Sequence, residues 1–319
     1  MIDIAKVKET SNRLKTEVKK VIVGQDEVID LILQAMLIRG HILLEGVPGT
    51  AKTLTVKTLA HSIGIGFRRL QMTPDLMPSD IVGTNIYDMK TCAFKVQKGP
   101  IFTDFVLADE INRAPAKTQS AMLECMEERQ VTIEGTRFAL SPIFMVLATM
   151  NPLEYEGTYP LPEAQLDRFI FKILVPYPDT REENSILDRF EEGFRADEFK
   201  KVGIERVTDT DEILQCQEGI RLVKTKDSII EYITDIVRST RSWKDLLVGG
   251  GPRASIGLLL SSKAVALMDG RDYVTPDDVK KMVYPVLRHR IILKPEAEIE
   301  GISPDECLDA ILTQVKVPR

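Results

Sequence analysis

One segment narrows the choice of fold more than any other. Gly46-Val47-Pro48-Gly49-Thr50-Ala51-Lys52-Thr53 follows directly on an apolar run at 41–44 and leads directly into a helical stretch at 54–61. A strand, a glycine-rich turn and a helix N-terminus in that order make a phosphate cradle. Backbone N–H groups point inward, the helix dipole favours negative charge, a lysine reaches the outer phosphates and a hydroxyl is placed for magnesium. Lys52 and Thr53 are that lysine and hydroxyl, and the expected binding segment runs from Gly46 through Leu54. Glycine ordinarily precedes the lysine, and Ala51 stands there instead. Because this position is expected to begin the helix, alanine's dihedral limits should not matter.

The apolar runs at 41–44, 67–70, 105–108, 143–148 and 170–175 are unbroken rather than alternating, as suits strands buried on both faces of a parallel sheet. The predicted fold is α/β, a P-loop architecture with a five-stranded parallel sheet between helices, over residues 1–177. Two helices at 4–20 and 28–38 precede the first strand, joined by Val21-Ile22-Val23-Gly24-Gln25. Two segments break the alternation. Residues 73–100 are too long for an ordinary connection and contain the strand-like Ala93-Phe94-Lys95-Val96-Gln97, which predicts a projecting insertion. Residues 130–140 read as a hairpin around Glu134-Gly135-Thr136 with an exposed tip.

Beyond Pro176-Tyr177-Pro178 the strand pattern stops, and helices are expected at 181–194, 209–218, 227–239, 252–268, 276–288 and 304–314. Thr275-Pro276-Asp277-Asp278 has the hydroxyl, proline and acids of a helix start. The second domain, 178–319, is thus predicted to be an all-helical lid, with Gly249-Gly250-Gly251-Pro252 as its flexible joint. A net charge of −6 and a pI near 5.4 leave no general excess of basic residues for nucleic acid. The four cysteines form no CxxC pair and the three histidines stand alone, which points away from zinc or disulfides and towards a reducing cytoplasm. No apolar stretch approaches the roughly 18 residues of a membrane span, and the N-terminus lacks an export pattern.

Three further positions carry chemistry. Phe105-Val106-Leu107-Ala108-Asp109-Glu110 is an apolar strand ending in two acids: Asp109 to hold magnesium through water, Glu110 to polarise the water attacking a γ-phosphate. Asn151, in Ala148-Thr149-Met150-Asn151-Pro152, offers an uncharged group to that water or phosphate. Arg168, just before the last strand, could reach a neighbouring subunit's nucleotide, and Arg253, opening a lid helix, the nucleotide of its own subunit. Arg113 is another candidate for the subunit boundary. Val23 and Gly24 are the expected adenine contacts. The ligands implied are ATP and Mg2+.

Together with the phosphate segment, Asp109-Glu110-Ile111-Asn112-Arg113-Ala114-Pro115, Ala148-Thr149-Met150-Asn151-Pro152 and Leu161-Pro162-Glu163-Ala164-Gln165-Leu166-Asp167-Arg168-Phe169 resemble the MoxR ATPases of the AAA+ superfamily over nearly the whole chain. The resemblance implies an ATPase with both projecting segments. It also implies a ring of identical subunits, usually six, with ATP between them. Such rings are thought to act as chaperones that mature or activate a partner protein complex, often one with a von Willebrand factor A domain. The family's roles fall on Lys52, Thr53, Asp109, Glu110, Asn151, Arg168 and Arg253.

Other readings compete. A nucleic-acid motor would need basic projections, but Asp80, Asp88 and Glu134 interleave with Lys90, Lys95, Lys98 and Arg137. A metal-inserting ATPase subunit like that of magnesium chelatase differs in its partner, which lies outside this chain. A module that binds nucleotide without hydrolysis has no use for Glu110.

Overall fold

Each apolar run becomes a strand, and the three central ones are buried because their alternate residues enter different cores. The computed structural model describes residues 3–152, 158–195 and 198–318. Five strands, β1 (Ile42–Glu45), β2 (Phe67–Gln71), β3 (Phe105–Asp109), β4 (Met145–Met150) and β5 (Phe171–Leu174), form one sheet in the order β2-β3-β4-β1-β5. All pairings are parallel. Ile42, Leu44, Phe105, Leu107, Met145 and Leu147 face one apolar core. Leu43, Val106, Ala108, Val146 and Ala148 face the other. With both sides covered, no polar alternation survives in the central strands. The order places the carboxyl ends of β1, β3 and β4 side by side, where ligands bind in sheets of this kind.

The first core does not stop at the sheet. It runs from Val7 in the N-terminal helix Ile4–Lys19 to Ile311 in the last helix, Pro304–Gln314. The lid helix Pro252–Met268 packs on both Ile4–Lys19 and Asp26–Leu37. No helix among the described residues is long and apolar enough to cross a membrane.

Both projecting segments form. The insertion contains a short helix, Pro78–Val82, then Gly83–Asp88 paired antiparallel with Ala93–Lys98; the first of these two strands had no sequence signal. Near its end the rings of Tyr87 and Phe94 meet edge to face at 5.4 Å while both stay exposed. Gln130–Ile133 pairs with Thr136–Ala139 around Glu134 and Gly135, whose φ values of 46° and 79° make the tight turn. Lys98 sits over Phe102 and Phe138, 4.8 and 5.7 Å from the ring centres, and so joins the two projections.

Two expectations for the lid need correction. It is not all-helical: Leu246–Val248 pairs antiparallel with Ile292–Leu293, segments too short and too far apart in sequence to show a pattern. Nor is the glycine run, expected as a flexible joint, loosely placed at Gly249 and Gly250. Gly250 donates its N–H to Thr240 Oγ1 at 2.8 Å, and its carbonyl accepts from Arg241 Nε at 2.8 Å. A Cβ on Gly249 would lie 2.5 Å from the Arg241 backbone nitrogen. Gly249 and Gly250 permit close packing, while Gly251 has open space around it.

His41, at the start of β1, accepts from the Val146 N–H at Nδ1 (2.9 Å) and bonds the Met126 carbonyl through Nε2 (3.0 Å). Only a neutral ring with its proton on Nε2 satisfies both. Burial, with Arg129 nearby, holds its pKa down at about 3. His289, buried against the Phe169 carbonyl, is likewise held well below its usual value, first by burial and then by Arg290.

Two outcomes follow from these contacts. As pH falls through the unfolded-state value near 6.5, the unfolded chain takes up protons that the folded histidines refuse, so stability drops. Between pH 7.5 and 5.5 the loss should be about 1.4 kcal/mol for each histidine, read from urea midpoints. A midpoint that does not change over that range rules this out. Gly249→Ala should destabilise the lid by about 1–3 kcal/mol, seen as a drop in melting temperature of several degrees.

Candidate nucleotide site

The glycine-rich segment hangs from the end of β1 and wraps the start of the helix Lys52–Ile63. Lys52 Nζ donates to the carbonyls of Gly46 and Val47, both at 2.7 Å, and approaches Thr50 Oγ1 at 3.2 Å. Gln25 Nε2 donates to the Thr50 carbonyl at 3.0 Å. Burial pulls the Lys52 ammonium below its ordinary pKa, opposed by Asp109 and Glu110, which favour its charged form. Gly49 is left-handed at φ +88° and has open space where a side chain would stand.

Ala51 departs from expectation. It does not begin the helix: it is the cap before Lys52, in the left-handed conformation at φ 55°, ψ 15°. The chain must reverse here to aim its N–H groups inward, which is why glycine usually occupies the place. Alanine accepts a strain of about 1–2 kcal/mol.

The two acids at the end of β3 are held by their neighbours. Thr149 Oγ1 donates to Asp109 Oδ1 at 2.5 Å and accepts from the Glu110 N–H at 2.8 Å. Arg69, on β2, clasps Asp109 Oδ2 through Nε at 2.8 Å and Nη2 at 2.6 Å. Two residues further on, Gln71 Nε2 donates to Glu110 Oε2 at 2.8 Å, and Arg113 Nε lies 3.2 Å from the same oxygen. Glu110 is itself left-handed, at φ 58°.

These groups converge on a cavity of about 400 Å³. Gly46, Pro48, Gly49, Thr50, Ala51, Lys52, Thr53 and Leu54 line it, with Asp109, Glu110 and the mostly buried Asn151. Val47 contributes its carbonyl to Lys52 but does not line the cavity. On the other side of the loop lies an apolar cavity of about 200 Å³, walled by Ile22, Val23, Ile186 and Phe194 and sharing Gly49, Thr50, Ala51 and Leu54 with the first. Val23 was expected here. Gly24 is not among the lining residues; its left-handed backbone lies against Glu182, whose Oε1 would be 2.0 Å from a Cβ.

Arg168 and Arg253 line neither cavity. Both reach Glu127, Arg168 Nη2 at 3.1 Å from Oε2 and Arg253 Nη2 at 2.7 Å from Oε1. They border a third cavity of about 310 Å³ between core and lid. Arg253, expected at the nucleotide of its own chain, thus lies here against Glu127 and apart from the phosphate cavity. The lid packs its helix on Ile4–Lys19 and Asp26–Leu37 and turns the start of that helix towards Glu127.

Sequence reasoning passed over Arg69, Gln71, Thr149 and Gln25. A signal existed for the first two: Arg69 and Gln71 are two apart, hence on one face, in a strand otherwise predicted from its apolar residues. Among the described residues no group of three or more His, Cys, Asp or Glu side chains could cage a metal.

Comparison with known proteins agrees with this architecture. The profile of the ATPase family associated with various cellular activities (AAA) matches residues 41–171, and that of the AAA lid domain matches residues 238–311. The chain is 46% identical to the uncharacterised protein YeaC of Bacillus subtilis, covering 94% of this chain and 92% of that one. It is 44% identical to the chaperone MoxR1 of Mycobacterium tuberculosis, covering 97% and 83%. A crystal structure of a protein provisionally called an ATPase, from Cytophaga hutchinsonii, superposes with a TM-score of 0.91 at 43% identity over 99% of this chain and 97% of that one. From its phosphate loop to its lid, the chain belongs to the MoxR family of AAA+ ATPases.

Proposed function

We propose that this chain binds and hydrolyses Mg-ATP as one subunit of a ring, usually of six, and uses the cycle to remodel or activate a partner protein complex in the cytoplasm. The observation that carries the nucleotide reading is the pair of cavities meeting at one loop. A triphosphate needs a polar compartment and an aromatic base an apolar one, and Gly49, Thr50, Ala51 and Leu54 line both. The donor set suits magnesium as well: Thr53 and Asp109 offer hard oxygens and leave other positions to water and phosphate.

In this reading Lys52 exchanges the carbonyls of Gly46 and Val47 for phosphate oxygens. Bound magnesium supplies charge neutralisation on the phosphates as the terminal bond breaks. Glu110, held in place by Gln71 and Arg113, accepts the proton of the attacking water, and Asn151 orients that water. Ile22, Val23, Ile186 and Phe194 wall the base. Arg168 and Arg253 do not line their own phosphate cavity, and in this reading the phosphates they meet belong to a second copy. We take 1–177 as the nucleotide domain and 178–319 as the lid.

The chaperone role rests on the name carried by MoxR1 at 44% identity and on an apolar tip suited to a protein client. Tyr87, Met89 and Phe94 are all more than half exposed on the insertion. That the client contains a von Willebrand factor A domain rests on family resemblance alone.

ATP hydrolysis should rise with protein concentration as ATP drives assembly, with mass followed by light scattering. Glu110→Gln should cut kcat about 100-fold or more while still binding ATP. Arg168→Ala should cut it about 1000-fold in assembled protein while leaving nucleotide binding by dilute subunits intact. Normal hydrolysis by assembled Arg168→Ala would end the trans assignment.

A further inference from the structure

The third cavity is lined by five arginines, Arg39, Arg129, Arg168, Arg253 and Arg290, against two carboxylates, Glu127 and Asp167. Their contacts divide them. Arg290 is only 4% exposed and is held by Asp167 at 2.7 Å and by the carbonyls of Phe169 and Ile170. Arg129 donates to the carbonyls of Phe144 and Arg39. Arg168 and Arg253 instead point their charged ends at one carboxylate from two different parts of the fold. One precedes β5, and the other opens the lid helix Pro252–Met268.

Two guanidinium groups this close repel, and each stem has wide rotamer freedom. Glu127 answers both problems: its two oxygens take one arginine each, Oε2 with Arg168 and Oε1 with Arg253. Arg253 has a second, longer contact to Asp167 at 3.8 Å, so the pair is also referred to the anchored Arg290. All three side chains remain partly exposed, at 30%, 52% and 44%. Exposed pairs of this kind contribute little to folding. What the arrangement provides is geometry: two donors aimed at the oxygens of a single anionic group, a charge pattern that a terminal phosphate also presents.

We propose that Glu127 is a positioning residue which gathers Arg168 of the core and Arg253 of the lid into one receptor for the terminal phosphates of ATP held by a second copy of the chain. This rests on the reading that both arginines act across the subunit boundary. Glu127 does not touch the nucleotide. It sets the starting geometry of the two groups that do, and it makes their placement depend on how lid and core are packed.

The test compares Glu127→Ala, Arg253→Ala and the double variant in full-length protein. Four quantities are read: kcat and KM for ATP in assembled protein, mass by light scattering, mant-ADP affinity of dilute subunits, and melting temperature. The expected result is a fall in kcat of about 10- to 100-fold for Glu127→Ala, with KM and mant-ADP affinity within about twofold of wild type. Melting temperature should stay within about 2 °C. In the Arg253→Ala background, removal of Glu127 should cost less than it does alone, because the part of its effect that passes through that arginine is already lost and only the part through Arg168 remains. Wild-type turnover by Glu127→Ala overturns the proposal, and so does an additive loss in the double variant or a failure to assemble. If Arg253→Ala itself turns over normally in assembled protein, the trans reading beneath the proposal is what has failed.

Discussion

The strand Ile42–Glu45 has neither a free edge nor a free face, and the nucleotide site depends on that confinement. It pairs with Met145–Met150 on one side and Phe171–Leu174 on the other. Ile42, Leu43 and Leu44 are at most 1% exposed. Its last residue, Glu45, takes an ion pair from Lys172 across the sheet at 2.8 Å. A loop hung from such a strand inherits its rigidity. The backbone N–H groups of 46–53 can therefore be pre-aimed at an anion rather than collected by it, and pre-aimed dipoles need no rearrangement when charge arrives. The neighbouring strand ends bring Asp109, Glu110 and Asn151 to the same rim because parallel strands end together.

Three of the seven non-glycine residues with positive φ among the described residues, Gln25, Ala51 and Glu110, lie at this rim. Gln25 caps the loop through Thr50, Ala51 turns it into the helix, and Glu110 carries the carboxylate next to Asp109. Each such residue costs of order 1–3 kcal/mol and persists only where the surroundings enforce it. Here they do: the packed strands behind the site hold the residues, and the Thr149 hydroxyl pins both acids at once. A fold that accepts strain at three adjacent points is arranged for the position of side chains more than for stability.

What was legible in the sequence was local. The phosphate segment, the Asp109-Glu110 strand end and the Glu134-Gly135 turn each announce themselves within about ten residues, since local pattern and local geometry share a cause. The site's remaining parts come from elsewhere in the chain. Arg69 and Gln71 reach the acids only because β2 lies beside β3, and Ile186 and Phe194 wall the apolar cavity from well over 100 residues beyond the loop they face. Lid geometry was the least readable. Whether Arg253 turns to its own nucleotide or away from it depends on how Pro252–Met268 docks on two N-terminal helices. Helix propensity at 252–268 is silent on that. Gly249 and Gly250 misled for the same reason, because a glycine demanded by close packing looks like one demanded by a hinge.

The separation of the phosphate cavity from the arginine pair also constrains assembly. A two-fold dimer joins one patch to its own copy, residue i meeting j as j meets i, so it would serve both cavities only if cavity and arginines shared that patch. A head-to-tail contact gives each cavity its cations from the next subunit and leaves each subunit with one of each surface still to satisfy. Such contacts end only by closing on themselves. On the proposed reading, then, the placing of the phosphate loop and of Arg168 and Arg253 calls for a head-to-tail contact, which becomes the proposed ring where its rotation closes.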